Sequence, residues 1–126
     1  MKTSLVAAAI GVAMLVSGCG ESSKVSSGDL NKVRSTTESL QIGMSQDDVE
    51  KALQKGSFKR LSTSSMNGVA IEEFKIEAYH DDDWNKRRDL FVRFLYFADG
   101  TLVEISDRRL DYRENPAISQ RWMPAS

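Results

Sequence analysis

The chain has 126 residues, with 17 Lys and Arg against 18 Asp and Glu and a formal net charge of −1. That balance excludes the basic surplus with which a nucleic-acid binder meets phosphate, and the length admits one domain of modest size with a real core. A single cysteine excludes an intrachain disulfide.

Lys2 supplies a positive start, and Leu5 to Val16 is an uncharged apolar run of 12 residues. Val16, Ser17 and Gly18 then place small residues directly before Cys19. A positive start, a short apolar core and a small-residue cleavage site define a signal peptide; a membrane-spanning helix needs about 20 apolar residues. Leu15-Val16-Ser17-Gly18-Cys19 also resembles the bacterial lipobox, whose final cysteine is diacylated and becomes the mature N-terminus. An ordinary signal peptide with an incidental cysteine is the plain alternative, and the position of Cys19 right after the small residues weighs for lipidation. Removing residues 1–18 leaves 108 residues with a net charge of −2. With no basic surplus, membrane association is expected to rest on the acyl chains. Gly20, not aspartate, follows the cysteine; by the sorting rule of enterobacterial lipoproteins this implies the outer membrane, facing the periplasm.

Residues 19–28 are small and polar, which predicts a flexible tether. Asp29 is the expected cap of a first helix carrying Leu30, Val33, Thr37 and Leu40. Gly43 then breaks the chain, Ser45 can cap, and Asp47 and Asp48 suit a helix N-terminus. Val49, Ala52 and Leu53 form a stripe on a second helix over 46–55, stopped by Gly56. Val69 and Ile71 lie on one parity and Phe74, Ile76 and Ala78 on the other, so a bulge, or a strand start near Glu73, is expected. Residues 89–98, DLFVRFLYFA, suit a central strand covered on much of both faces. Asp99-Gly100 marks a hairpin turn into Thr101–Ser106. The reading is an α+β domain over 29–110, with two N-terminal helices packed on a three-stranded antiparallel sheet in the order ααβββ. The tail, 111–126, has little periodicity, with Trp122 as a candidate for docking.

The segment from Leu40 to Leu53, LQIGMSQDDVEKAL, resembles the opening of the SmpA/OmlA (BamE-like) family of outer-membrane lipoproteins. Arg93 to Ile105, RFLYFADGTLVEI, is similar to the final hairpin of that family. The family's usual Gly-x-Pro after the helix is replaced by Gly56-Ser57-Phe58, and no Tyr- and Asn-rich segment precedes the first helix. The resemblance implies a helix-on-sheet fold and work as a protein-binding or scaffold module, including a place in outer-membrane protein assembly.

His80-Asp81-Asp82-Asp83 is the most site-like cluster. Neighbours in sequence cannot all converge on one ion, so a solvated loop is the stronger reading and no metal is expected. The loop continues as Trp84-Asn85-Lys86-Arg87-Arg88. Tryptophan and arginine concentrate at interface hot spots, so Trp84, Arg87, Arg88 and Asp81 are the candidate partner-binding residues if Trp84 is exposed and does not fold back on the sheet. One histidine, no Gly-x-Ser-x-Gly motif and no phosphate-cradling glycine loop argue against an enzyme and against a cofactor. Glu73 and Glu77 share a parity but read as an ordinary exposed strand face. Two functions from different classes follow. One is a contact or scaffold lipoprotein; the other is a small-ligand or inhibitor-type periplasmic module, since β-lactamase inhibitor proteins share this helix-sheet architecture.

Overall fold

A computed structural model describes residues 23–53 and 57–123. The leader, Cys19, Gly20 and the expected helix stop at Gly56 lie outside them. Among the described residues no helix is long and apolar enough to cross a membrane.

Helix α1 spans Ser27–Ser39, and its cap is Ser26, not Asp29: the Ser26 hydroxyl accepts from the Asp29 amide at 3.0 Å. Asp29 instead lies in the first turn, where its charge meets the positive end of the helix. Ser27 and Gly28, expected in the tether, are already helical. Leu30, Val33 and Thr37 form the buried stripe, and Thr37 donates to the Val33 carbonyl at 2.7 Å. That bond satisfies the one buried hydroxyl of the stripe. Helix α2, Gln46–Ala52, begins as expected on Ser45, whose hydroxyl accepts from the Asp48 amide at 3.1 Å. Val49 and Leu53 point inward, whereas Ala52 is exposed and falls outside the stripe.

The expected three-stranded sheet has four strands: β1 (Ser57–Met66), β2 (Val69–Asp82), β3 (Arg87–Ala98) and β4 (Thr101–Ser106). They lie side by side in sequence order, each antiparallel to the next. The extra strand is β1, whose sequence SFKRLSTSSM has no apolar alternation. As an edge strand it pairs only with β2 and needs few apolar side chains. The turn that launches it into β2 is Asn67-Gly68, with both φ positive at 53° and 81°. Asn-Gly is among the strongest hairpin signals a sequence carries.

Strand β2 runs unbroken against β3 through Glu73, and the irregularity expected there falls on its partner β1: Arg60 lies opposite Phe74 and Ser62 opposite Glu73, with Leu61 as the extra residue. The change of parity is a change of covered face. Phe74, Ile76 and Ala78 meet α1 and α2 in one core with Phe91, Leu95, Phe97 and Leu102. Val69 and Ile71 face the opposite side, with Tyr96 and Ala98, under Tyr112 and Trp122 of the C-terminal tail. Residues 107–123, ending in the short helix α3 (Pro116–Gln120), thus form a third layer. The register slips a second time between Tyr96 and Phe97, opposite Glu104 and Leu102. The extra residue, Val103, joins the tail-side cluster while Leu102 and Ile105 both serve the helix side.

Candidate functional site

Strands β2 and β3 pair over twelve positions, from Ile71 with Ala98 to Asp82 with Arg87. Their neighbours are shorter. Among the described residues, β1 begins at Ser57 opposite Glu77 on one side, and β4 ends at Ser106 opposite Phe94 on the other. The far end of the β2–β3 hairpin therefore extends past the sheet as an arm. What sequence reading takes as a loop from Asp81 to Arg88 is strand at both ends, at Asp81, Asp82, Arg87 and Arg88, around a turn over residues 83–86.

The turn is organised by Asp82. Its carboxylate accepts from the amides of Trp84 at 3.0 Å and Asn85 at 3.3 Å and from the Asn85 side chain at 2.8 Å. The Asn85 and Trp84 bonds hold its carboxyl below the usual carboxylate range. Lys86 completes the turn at φ 55°. Across the strands, Arg88 donates to both oxygens of Asp81 at 2.7 and 3.3 Å, and its guanidinium lies 4.1 Å over the Tyr79 ring. The Arg88 bonds lower the Asp81 pKa, and the same contact raises that of Arg88.

Of the four side chains expected to meet a partner, two are therefore engaged with each other. Asp81 and Arg88 brace the arm. Trp84 does not fold back; it is 91% exposed at the tip. Arg87 is exposed and, among the described residues, has no ion-pair partner. Farther down β3, Leu90 is 55% exposed. Between Arg87 and Arg93 no described strand pairs with the outer edge of β3, although Arg93 donates to the Val92 carbonyl at 2.8 Å.

The outer edge of β2 receives the start of the described chain. Residues 23–25 run parallel to it, with the Val25 amide donating to the Tyr79 carbonyl and the Tyr79 amide to the Ser23 carbonyl, both at 2.8 Å. The Val25 carbonyl also lies 3.1 Å from Nδ1 of His80, and Lys24 approaches Asp81 at 3.8 Å. This part of the expected tether is docked on the arm. The His80 cluster is thus used in pinning the chain and shaping the turn. Among the described residues no group of three or more His, Cys, Asp or Glu is placed to hold a metal.

A second constellation lies on the tail side of the sheet, and sequence reading misses it. Glu73, expected on an exposed face, is 2% exposed. Its carboxylate accepts from Ser62 at 2.9 Å, from Tyr96 at 2.7 Å, and from Arg109 through two bonds of 3.0 Å. Burial pushes its pKa up, but the Arg109, Tyr96 and Ser62 bonds and the Arg109 charge together bring it below the ordinary value. The Tyr96 hydroxyl, raised chiefly by burial, also accepts from the Leu110 amide at 2.7 Å. Beside this network opens a cleft of about 290 Å³, lined by Ser62, Glu73, Arg109, Leu110, Asp111, Tyr112 and Arg113. Its polar groups bond one another: Tyr112 lies 3.3 Å from Ser62 and 3.0 Å from Ser64, and Arg113 donates to Ser64 at 2.7 Å. Glu77, by contrast, stays half-buried and pairs with Lys75 at 2.9 Å. The carboxylates that share a parity therefore have unrelated roles. The signal in the sequence is that Glu73 shares the parity of Val69 and Ile71; its cation stands 36 residues away.

No family model, curated protein or solved structure matches the chain.

Proposed function

We propose that the chain is a non-enzymatic lipoprotein, anchored through lipid on Cys19 to the outer membrane and facing the periplasm, that works by contact as a protein-binding or scaffold module of the cell envelope. The observation that carries this reading is the β2–β3 arm. It projects past the sheet, is internally braced by Asp81 and Arg88, and presents Trp84, Arg87 and Leu90 outward. A rigid arm with exposed aromatic and arginine side chains suits recognition, because little ordering remains to be done on binding. Kinship with the SmpA/OmlA lipoproteins, and a role in outer-membrane protein assembly, is supported by the helix-on-meander arrangement and by the two segments that resemble that family. A small-ligand or inhibitor-type module is the less supported alternative, since the cleft beside Glu73 opens to solvent and spends its polar groups internally.

Photo-crosslinking side chains at positions 87 and 90 in intact cells test the reading. A discrete envelope protein captured at both positions, and not from a control position on α3, is expected. Absence of any discrete product from the arm removes the scaffold role.

A further inference from the structure

We infer that the outer edge of β3 between Arg87 and Arg93 takes up an extended segment of a partner protein as a fifth strand, one that is apolar on one face and acidic on the other. The inference rests on the protein-contact reading of the arm and names the chemistry of the partner and its mode of binding.

The backbone of this edge is turned outward. The amide and carbonyl of Tyr79 both point away from β3, to Ser23 and Val25. In an antiparallel pair, residues directly opposite either exchange both bonds or turn both groups away. Leu90 stands opposite Tyr79, so its amide and carbonyl face away from β2. By the alternation of a strand, those of Arg88 and Val92 do the same. The Arg93 guanidinium, which donates to the Val92 carbonyl, fits that direction. From Phe94 onward this row is filled by β4, which ends at Ser106. There the Ser106 hydroxyl bonds the amide and carbonyl of Arg108 and the chain leaves the sheet. The stretch from Arg87 to Arg93 is thus open over roughly 20 Å, long enough for a short strand. The arm already accepts such an addition on its other edge, where residues 23–25 join β2 through the two Tyr79 bonds. In strand addition the main chain supplies affinity and alternate side chains supply specificity.

Those side chains select the partner. Leu90, exposed, and Val92, half-buried, continue the parity of Phe94 on the tail side of the sheet. Arg87, Asp89 and Arg93 share the other face with Phe91, whose ring lies 4.6 Å from the Arg93 guanidinium and 5.6 Å from that of Arg34 on α1. Among the described residues none of Arg34, Arg87 and Arg93 has an ion-pair partner, and Asp89 is the one carboxylate in that row of β3. An added strand with apolar side chains beside Leu90 and Val92 and carboxylates beside Arg87 and Arg93 satisfies both faces.

A second copy of the chain fits this edge poorly. Antiparallel pairing of β3 with β3 about Arg88 sets Arg88 opposite Arg88, and pairing about Asp89 sets Asp89 opposite Asp89. Pairing about Leu90 sets Arg87 opposite Arg93. Like charges directly opposite are destabilising. Any register farther along puts Arg88 of one copy where Ser106 already pairs with Phe94 in the other.

The test follows amide exchange of the full chain by nuclear magnetic resonance, with a capped seven-residue peptide alternating valine and glutamate as the probe. At saturating peptide, exchange at Leu90 and Val92 is expected to slow by about tenfold or more. The Phe91 amide, which faces Ala78 of β2, is the unchanged reference. Lysine in place of glutamate should weaken binding by about tenfold or more, and N-methylation of alternate peptide residues should abolish the protection. No protection at these amides overturns the strand addition, and equal protection by the two peptides overturns the acidic partner. Protection that grows with protein concentration without peptide makes a second copy the occupant and overturns the inference as well. Any of these results beside a discrete crosslink from positions 87 and 90 in cells leaves the scaffold reading standing. Loss of that crosslink removes the scaffold reading, and this inference with it.

Discussion

With 2% of its surface exposed, Glu73 keeps its charge inside the domain because four hydrogen bonds, two of them from the Arg109 guanidinium, reach it from three different segments. Removing the carboxylate strands the Tyr96 hydroxyl, which is fully buried, and releases Arg109 from the tail. Glu73→Ala is expected to cost about 1–3 kcal/mol, as for a buried hydroxyl left without its acceptor, measured by denaturant unfolding. The pH dependence has a definite sign. The folded-state pKa lies below the ordinary value of 4.5, so the stabilisation from this carboxylate is complete above about pH 4.5 and is lost as pH falls through the lower folded value. The difference in Tm between the unaltered chain and Glu73→Gln should shrink on acidification below that point. A difference that grows instead would mean that burial, not hydrogen bonding, dominates the carboxyl.

At the scale of elements, two primed turns set the register of the outer strands against the central pair. Asn67-Gly68 and Asp99-Gly100 both place two successive residues at positive φ, and Asp99 also ties back to Ala70 through its amide and carboxylate, each bond at 2.8 Å. A Cβ added at Gly68 or Gly100 meets nothing within 4 Å, so the cost of a substitution there is backbone conformation and not crowding. Gly100→Val should therefore destabilise by more than about 1 kcal/mol, and Gly100→Asn by clearly less, because asparagine tolerates the left-handed region. Equal thermal melting of the two variants would show that φ does not set the cost. The Asp99-Gly100 turn is legible because apolar runs flank it on both sides. The equally good signal at Asn67-Gly68 is hidden by the serine- and threonine-rich strand before it, whose hydroxyls find Glu73 and Tyr112 only in the folded chain.

For the whole molecule, the proposed lipid anchor is tested at Cys19. Cys19→Ser is expected to shift the protein from the membrane to the soluble fraction, or to leave it unprocessed, without altering the melting of the domain, since Cys19 precedes every described contact. An intact mass showing an unmodified thiol on Cys19 would end the lipid-anchor reading. Much of the helix-side core is visible in the chain by itself, because Leu30, Val33, Val49 and Leu53 recur at helical spacing and Phe74, Ile76 and Ala78 alternate at strand spacing. These are local periodicities, imposed by a single covered face. The fourth strand, the closure of the second face by Tyr112 and Trp122, and the burial of Glu73 depend instead on partners dozens of residues apart. So does the division of labour at the arm. The composition of residues 81–88 marks them as unusual, but only the pairing of Asp81 opposite Arg88 consumes those two charges and leaves Trp84 standing clear. A side chain's exposure is decided by what the rest of the chain brings to it, and no pattern of neighbours along the sequence contains that information.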